Sequence, residues 1–316
     1  MRILITGGLG YIGFFTIREL IKNKKNKITV IDNFNNNQNI KHFRDLNIKI
    51  VKSDFSNKKV LKTLFNKNKF DILIHLASYK KVHESVKKPI KYYYNNVVKT
   101  KKLFKFCVSR SLKNFIFASS ASVYGKNKKL IVEESLPLSS LSPYAKNKIE
   151  IEIFLKKLSK KNNIKYFVLR YFNVAGSISK NKNKFKLTKI NNFIHKAKRL
   201  VQLNKFIPIY GKNYSTKDGT VIRDFIHIED VAKINSTIVK KIKQLNSQTL
   251  NIGSGKGITL LDVIKIFKSL YKNNIKVKFS NRKKGDIEAI IANNKKMKKS
   301  LSFTKIQSIS KIIESI

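Results

Sequence analysis

Tyr144 and Lys148 stand four residues apart in Ser142-Pro-Tyr-Ala-Lys-Asn-Lys148. A proline at the first helical position and an i, i+4 spacing put the phenol and the amine on one helix face. Lysine is so abundant here that Tyr-x-x-x-Lys alone is a chance match. The pair gains weight from Phe115-Ile-Phe-Ala-Ser-Ser-Ala-Ser-Val-Tyr-Gly125, an apolar run ending in hydroxyls that can deliver Ser120 beside Tyr144. These groups suit proton exchange with a substrate hydroxyl. A free phenol has a pKa near 10, and bringing it toward 7 takes about 4 kcal/mol of differential stabilisation, at about 1.36 kcal/mol per unit. Lys148 supplies one cation in that direction, and a bound group must supply another.

Other elements must position these residues and bring that group. Thr6-Gly7-Gly8-Leu9-Gly10-Tyr11-Ile12-Gly13 lies between a strand and an amphipathic helix. Glycines there let backbone N–H groups approach a pyrophosphate, and the helix N-terminus adds a favourable field. Asp32 ends the second strand about twenty residues on, where a carboxylate accepts from both adenosine ribose hydroxyls and repels a 2′-phosphate. The cofactor expected is therefore NAD, whose oxidised nicotinamide is the second cation. Asp54, after the third strand, is placed either to meet the adenine amino group or to face solvent as a loop acid.

Aliphatic runs at Arg2–Thr6, Lys27–Ile31, Ile48–Val51, Asp71–His75, Asn114–Ala118 and Tyr166–Leu169 alternate with helical stretches. Ile12, Phe15, Ile17, Leu20 and Ile21 stripe the first helix. The expected class is α/β, a doubly wound parallel sheet followed by a smaller, interleaved C-terminal domain. The first domain takes residues 1–170 with about 221–247, and the second takes 171–220 and 248–316. Gly211–Thr220 reads as a loop, Val221–Ala232 as a strand–helix unit, and the Lys/Asn-rich Ser179–Lys186 as an exposed loop.

The 68 Lys and Arg against 18 Asp and Glu give a net charge of +50. The lysines are spread along the chain with abundant Asn, Ile, Phe and Tyr and no Trp, a set typical of A/T-rich codons. Because the charge is not gathered in a patch, it argues against nucleic acid as a partner. Cys107 is the single cysteine; it excludes an internal disulfide, suits a reducing cytoplasm, and reads as helix packing. No metal-ligand spacing and no membrane-length apolar run occurs, and the N-terminus reads as a strand rather than a signal peptide.

Thr-Gly-Gly-Leu-Gly-Tyr-Ile-Gly, Ser-Ser-Ala-Ser-Val-Tyr-Gly, Ser-Pro-Tyr-Ala-Lys-Asn-Lys, Leu-Arg-Tyr-Phe-Asn173 and Asp218-Gly-Thr-Val-Ile-Arg-Asp-Phe-Ile-His-Ile-Glu-Asp-Val231 come in the order found in UDP-glucose 4-epimerases. Over almost its whole length the chain resembles that family of extended short-chain dehydrogenase/reductases, with the match weakest after about residue 300. The resemblance implies a Rossmann-type fold, a cytoplasmic homodimer of galactose metabolism, and interconversion of UDP-glucose and UDP-galactose with NAD. It implies Tyr144, Lys148 and Ser120 as catalytic residues. NAD would meet Gly7, Gly10, Tyr11, Ile12, Gly13, Asp32, Asn33, Asp54, Phe55, Leu76, Ala77, Lys80, Asn95, Ser120, Tyr144, Lys148 and Phe172. The UDP-hexose would meet Ser120, Tyr144, Asn173, Asn192, Tyr210, Arg223, Lys283 and Asp286, with Tyr210 against uracil and Arg223 on the diphosphate.

The chain departs from the family at Lys283, where an arginine fork usually meets phosphate. Ser78 and His83 also differ, and Ile290 replaces a bulky aromatic that can exclude an N-acetyl group, so UDP-GlcNAc and UDP-GalNAc stay open as substrates. A 4,6-dehydratase is disfavoured because Ala121-Ser122 follows Ser120 where such enzymes place Asp-Glu. A decarboxylase, which also needs extra acid–base groups, and an RNA-associated basic protein are the remaining alternatives.

Overall fold

The computed structural model describes residues 1–35, 43, 46–127, 129–178, 190, 192–271, 275–283 and 286–316. The loop expected at Ser179–Lys186 lies outside the described residues. The chain runs β1 (Arg2–Thr6), α1 (Tyr11–Leu20), β2 (Lys27–Asp32), β3 (Ile48–Lys52), α2 (Lys58–Lys67), β4 (Ile72–His75), α3 (Val82–Lys87), α4 (Pro89–Tyr93), α5 (Lys99–Ser109), β5 (Asn114–Ser120) and β6 (Ile131–Val132). It continues through α6 (Pro143–Asn162), β7 (Lys165–Tyr171), β8 (Asn173–Ala175), α7 (Phe193–Gln202), β9 (Ile207–Tyr210), β10 (Ile222–His227), α8 (Ile228–Lys241) and β11 (Gln248–Ile252). The last elements are β12 (Gly257–Thr259), α9 (Leu260–Tyr271), β13 (Val277–Ser280), β14 (Ala289–Ala292), α10 (Lys295–Leu301) and α11 (Ile309–Glu314). All six expected strands form, each ending within two residues of its aliphatic run.

Two compact units emerge. The first holds Met1–Gly125, Pro137–Arg170 and Ala232–Leu250; the second holds Lys126–Leu136, Tyr171–Val231 and Asn251–Ile316. The sequence-based division differs at three places, each for reasons of strand pairing: Gln248–Leu250, expected in the second domain, fall in the first with β11, which joins the seven-stranded sheet. Lys126–Leu136, expected in the first domain, falls in the second, where β6 pairs with β14. Residues 221–231, also expected in the first, stay with the second because β10 pairs with β8, β12 and β14.

In the first unit a seven-stranded sheet has the order β11-β7-β5-β4-β1-β2-β3 among the described residues. The β2/β3, β1/β2, β1/β4 and β4/β5 pairs are parallel. The chain moves outward from β1 to β3 and then restarts at β4 on the other side. That reversal opens a crevice at the carboxyl ends of β1 and β4, the place where doubly wound sheets bind ligands. The central strands are buried on both faces, as continuous aliphatic runs demand, while edge strand β3 is not; Ile3, Leu4, Ile5, Ile72, Leu73 and Ile74 have no exposure. In α1 the buried stripe is Phe14, Phe15, Ile17 and Leu20, while the expected Ile12 and Ile21 are only half-buried. Each fully buried side chain of this kind contributes about 1.5–3 kcal/mol. Cys107 packs in the same core with Leu103 and Phe104, and burial pushes its thiol pKa up, so it behaves as a small hydrophobe.

The second unit is built on the sheet order β12-β10-β14-β6, with β8 also pairing β10, and on the β9/β13 pair. Its core gathers Ile194, Ala197, Ile209, Val263, Phe267, Ile312 and Ile313. The C-terminal segment, weakest in family resemblance, is tied in by Ser315: its Oγ accepts from Ser177 N at 2.8 Å and lies 3.1 Å from Nε2 of buried His227.

Candidate active site

The turn after β1 is shaped for close approach. Gly7 has φ +71°, and a Cβ there would lie 2.6 Å from the Ala77 backbone nitrogen. A Cβ on Gly13 would lie 2.4 Å from the Gly8 carbonyl oxygen, so only glycine lets α1 pack so tightly on the turn. Gly10, the N-cap of α1, offers no side-chain cap to the helix N-terminus. The donors exposed there form the positive end of the helix dipole, which favours a phosphate. Leu76 follows β4, and its N–H donates to the Thr6 carbonyl at 3.0 Å. Tyr11 and Ile12 are half-buried at the start of α1. The Asp32 carboxylate accepts from Leu9 N at 3.1 Å and Phe34 N at 2.9 Å, which aims it; burial raises its pKa despite those two bonds.

The helix face predicted from Tyr144 and Lys148 is real and longer than expected. Ser142 caps α6 by accepting from Ala145 N at 3.2 Å, and Pro143 occupies the first turn. Tyr144, Lys148 and Glu152 all lie on its buried side. Lys148 Nζ donates to the Ala118 carbonyl at 2.7 Å and sits 4.8 Å from the Phe117 ring centroid and 5.8 Å from that of Tyr144. The Ser120 hydroxyl is near enough to the Tyr144 phenol to act on it, lowering its pKa. Ser120, Tyr144 and Lys148 are therefore brought together at the carboxyl end of β5.

Burial sets the protonation of both titrating groups. Burial pushes the Tyr144 phenol up to about 12; Ser120 opposes this and neighbouring Tyr92 reinforces it. Burial lowers the Lys148 amine to about 7, with Glu152 acting in the opposite direction. On the protein's own groups the phenol is thus held neutral rather than activated, because desolvation outweighs a lysine that is itself only partly charged near neutrality. His75 beside this group is held neutral, lowered to about 3 by burial and then by Lys148; Thr6 Oγ1 lies 2.6 Å from its Nδ1 and Thr100 Oγ1 3.0 Å from its Nε2.

The other first-unit residues are less uniform. Asp54 is already engaged: Oδ1 accepts from Ser56 N at 2.9 Å and Oδ2 from Lys99 at 2.5 Å. Desolvation raises its pKa, but the Lys99 and Ser56 bonds together win and lower it. Phe55 is a core side chain, edge-on to His75 at 5.1 Å. Asn33 is exposed and accepts from Asn35 N at 3.1 Å, and Lys80 is also exposed. Asn95 is buried on a π-helical turn, Tyr94–Val98, between α4 and α5. Such turns concentrate at functional sites. Asn96, which the sequence reading missed, accepts from Tyr79 N and donates to Tyr79 O, both at 2.9 Å, so it clamps the loop after β4. No periodicity marks such a turn.

In the second unit, Arg223 on β10 and Asp286 pair at 2.5 Å, while Nη1 donates to the Ile222 carbonyl at 2.8 Å. Burial lowers the Arg223 pKa and Asp286 opposes it. Lys283 Nζ lies 3.9 Å from the Tyr210 ring centroid, so a cation covers the ring expected to face uracil. Asn173 opens β8 and donates to the Asp224 carbonyl at 3.2 Å. The Asn192 side chain is a helix cap: Oδ1 accepts from His195 N at 2.9 Å and Nδ2 donates to Val174 O at 3.0 Å. Phe172 is buried between β7 and β8, and Ile290 is buried in register with Arg223.

Comparison with known proteins identifies this arrangement. Residues 3–253 match the NAD dependent epimerase/dehydratase family. The chain belongs to that family. A bifunctional UDP-glucose 4-epimerase and UDP-xylose 4-epimerase of Pisum sativum is 32% identical over 321 residues, covering 96% of this chain and 90% of that protein. The structure of UDP-glucose 4-epimerase from Bifidobacterium longum in complex with NAD+ and UDP superposes with a TM-score of 0.90 at 31% identity, covering 100% of this chain and 96% of that one. The UDP-Glc/GlcNAc 4-epimerase from Campylobacter jejuni superposes with a TM-score of 0.85 at 33% identity, over 99% of this chain and 97% of that one.

The chain's own residues fit the family's cofactor. Gly7 and Gly13 leave room that a Cβ would fill, Gly10 leaves α1 without a side-chain cap, and Asp32 is aimed by two backbone bonds toward a ribose diol. Among the described residues no group of three or more His, Cys, Asp or Glu could hold a metal, and no helix is long and apolar enough to cross a membrane.

Proposed function

We propose that the chain inverts C4 of a UDP-hexose, interconverting UDP-galactose and UDP-glucose, with NAD retained through the cycle. The observation that carries this reading is the grouping of the Tyr144 phenol, the Ser120 hydroxyl and the Lys148 amine at the carboxyl end of β5, beside a glycine turn shaped for a dinucleotide. When bound, NAD supplies the acceptor and donor for the C4 hydride. Gly7, Gly10, Gly13 and the start of α1 hold its pyrophosphate, and Asp32 holds the adenosine ribose. Leu76, Ala77, Lys80, Asn95 and Phe172 contribute to the same cofactor's surroundings.

Tyr144 takes the proton from the sugar 4-hydroxyl and later returns it. Its neutral form is favoured by burial, so the phenolate becomes accessible only when a second cation joins Lys148. A bound oxidised nicotinamide would supply that charge, so Tyr144 would act as a base only with the oxidised cofactor in place. Ser120 donates to the oxygen or relays its proton. Arg223 holds the diphosphate with Lys283, and Tyr210 stacks on uracil, while Asn173 and Asp286 orient the remaining nucleotide and sugar groups. The ketone formed at C4 turns while the UDP stays held, and the hydride is then returned to the other face.

The acetylated hexosamine is a second reading favoured by one residue. Ile290, in register with Arg223, is smaller than an aromatic and leaves an N-acetyl group room. We further infer a cytoplasmic homodimer serving galactose metabolism. Exposed Ile90, Tyr93 and Tyr94, with Ile153 on α6, offer an apolar face for the second copy. Purified protein given UDP-galactose without added reductant is expected to yield UDP-glucose. No conversion of either UDP-galactose or UDP-GalNAc, with bound NAD verified, would falsify the reading.

A further inference from the structure

Behind the phenol and the amine lies a second layer that the proposed chemistry does not yet use. The Glu152 carboxylate, fully buried on α6, receives Arg170 Nη2 at 2.7 Å and Nε at 3.1 and 3.3 Å. It also accepts from the Ser119 hydroxyl. Arg170, on β7 and equally buried, donates from Nη1 to the Tyr124 hydroxyl at 2.9 Å. Three consecutive residues at the end of β5 therefore meet three residues spaced four apart on α6. Ala118 holds Lys148, Ser119 holds Glu152, and Ser120 lies close enough to Tyr144 to lower its pKa.

We propose that Glu152, clamped by Arg170, is the positioning residue of this site: through Ser119 it fixes the end of β5 against α6, so that the Ala118 carbonyl meets the Lys148 ammonium and Ser120 meets Tyr144. The proposal rests on the epimerase reading for the roles of Tyr144 and Lys148. The contacts themselves are independent of it. A buried carboxylate and guanidinium in bidentate contact neutralise each other, and each strongly needs the other in a dry interior. Losing one partner leaves a bare charge beside Lys148, and the sign of that charge depends on which partner is lost.

The titratable and charged groups around Lys148 and the clamp are Tyr144 and Glu152 on α6, Tyr92 on α4, His75 on β4, Tyr166 and Arg170 on β7, and Tyr124 just after β5. His75 is held neutral, and Glu152 is the charge that acts on the Lys148 amine, raising its pKa against burial, while Arg170 is the charge that balances Glu152. Glu152→Gln removes a negative charge and leaves Arg170 unopposed, which disfavours the ammonium. Arg170→Met removes the positive charge and leaves Glu152 to favour it. A scaffold role alone predicts loss of activity in both and gives no reason for opposite shifts in titration.

The test reads the Lys148 amine directly. In the full-length protein with isotope-labelled lysine, the resonance absent from Lys148→Met identifies Lys148, and its midpoint is followed by NMR with pH. Glu152→Gln is expected to move the midpoint down by a unit or more, and Arg170→Met to move it up. In turnover, Glu152→Gln should lower kcat at least tenfold at neutral pH with KM within twofold, and Arg170→Lys should restore more activity than Arg170→Met. Both midpoints staying in place in folded variants would overturn the proposal. If the charge variants do not fold, Ser119→Ala keeps every charge and removes one bond. It should lower kcat severalfold at constant KM, and an unchanged kcat would overturn the proposal. Shifted midpoints in a protein that converts no UDP-hexose would sustain the clamp and sink the epimerase reading.

Discussion

The two units prepare for their ligands in opposite ways. At the end of β5 the reactive groups of the first unit are already gathered together, with Tyr144, Lys148 and Ser120 in place on the protein's own framework. In the second unit the basic groups expected to meet UDP are engaged elsewhere, Arg223 with Asp286 and Lys283 with the Tyr210 ring. The first region resembles a preorganised catalytic site, where fixed dipoles cost no reorganisation at the moment of reaction. The second must exchange its internal partners for phosphate and base, so its binding energy is partly spent on displacement. Chemistry should therefore fail sharply when the first region is altered, and affinity should change by degrees when the second is.

The largest effect expected is from Tyr144→Phe, which keeps the ring and removes the proton-transfer group. Its kcat should fall by about 10²–10⁴-fold, with NAD binding kept and KM within about twofold. A modest loss of kcat with a large rise in KM would reverse the comparison. Arg223→Ala should act the other way. It should raise KM for the UDP-hexose by about tenfold to a hundredfold, the loss of about 1.5–3 kcal/mol from a charged hydrogen-bonding group, with kcat nearly unchanged.

A stability measurement sharpens the description of the first region as dry. Lys148 is lowered from its ordinary 10.5 to about 7 in the folded chain, so between those values the unfolded chain binds more protons. Stability must then rise with pH across that window. The denaturant midpoint of wild type relative to Lys148→Met is expected to increase from pH 7 toward pH 10, and a flat difference would mean the amine is solvated. The smallest effect expected is at the family departure. Lys283→Arg restores a fork for phosphate and should tighten UDP binding by less than about tenfold, read by calorimetry. Loss of affinity would show that the Lys283–Tyr210 contact helps UDP rather than competing with it.

What was legible in the sequence follows the same division. The six strands expected in the first unit are rich in β-branched or aliphatic residues, and burial in a parallel sheet is what the central runs encode, so their limits fell within two residues. The glycine turn and the Tyr144–Lys148 face are local patterns, and both formed as spaced. Features made by distant segments were not legible. Glu152 reads as one more polar residue on α6 until Arg170 and Ser119 arrive beside it. Asn192 reads as a ligand by resemblance, yet its side chain caps α7. The π-helical turn at Tyr94–Val98 leaves no mark on apolar periodicity, and the allegiance of Lys126–Leu136 is set by two residues of β6 pairing with β14. The depth of burial that holds the phenol neutral on the protein's own groups is not carried by spacing.

The central claim is that C4 is oxidised and reduced again by one retained cofactor. UDP-galactose carrying deuterium at C4, incubated with the protein in ordinary water, tests it directly. The account predicts UDP-glucose that keeps the label at C4 and takes up none of the solvent's hydrogen there. Label exchanged into water during conversion would contradict a hydride held by NAD and point to proton abstraction from carbon instead.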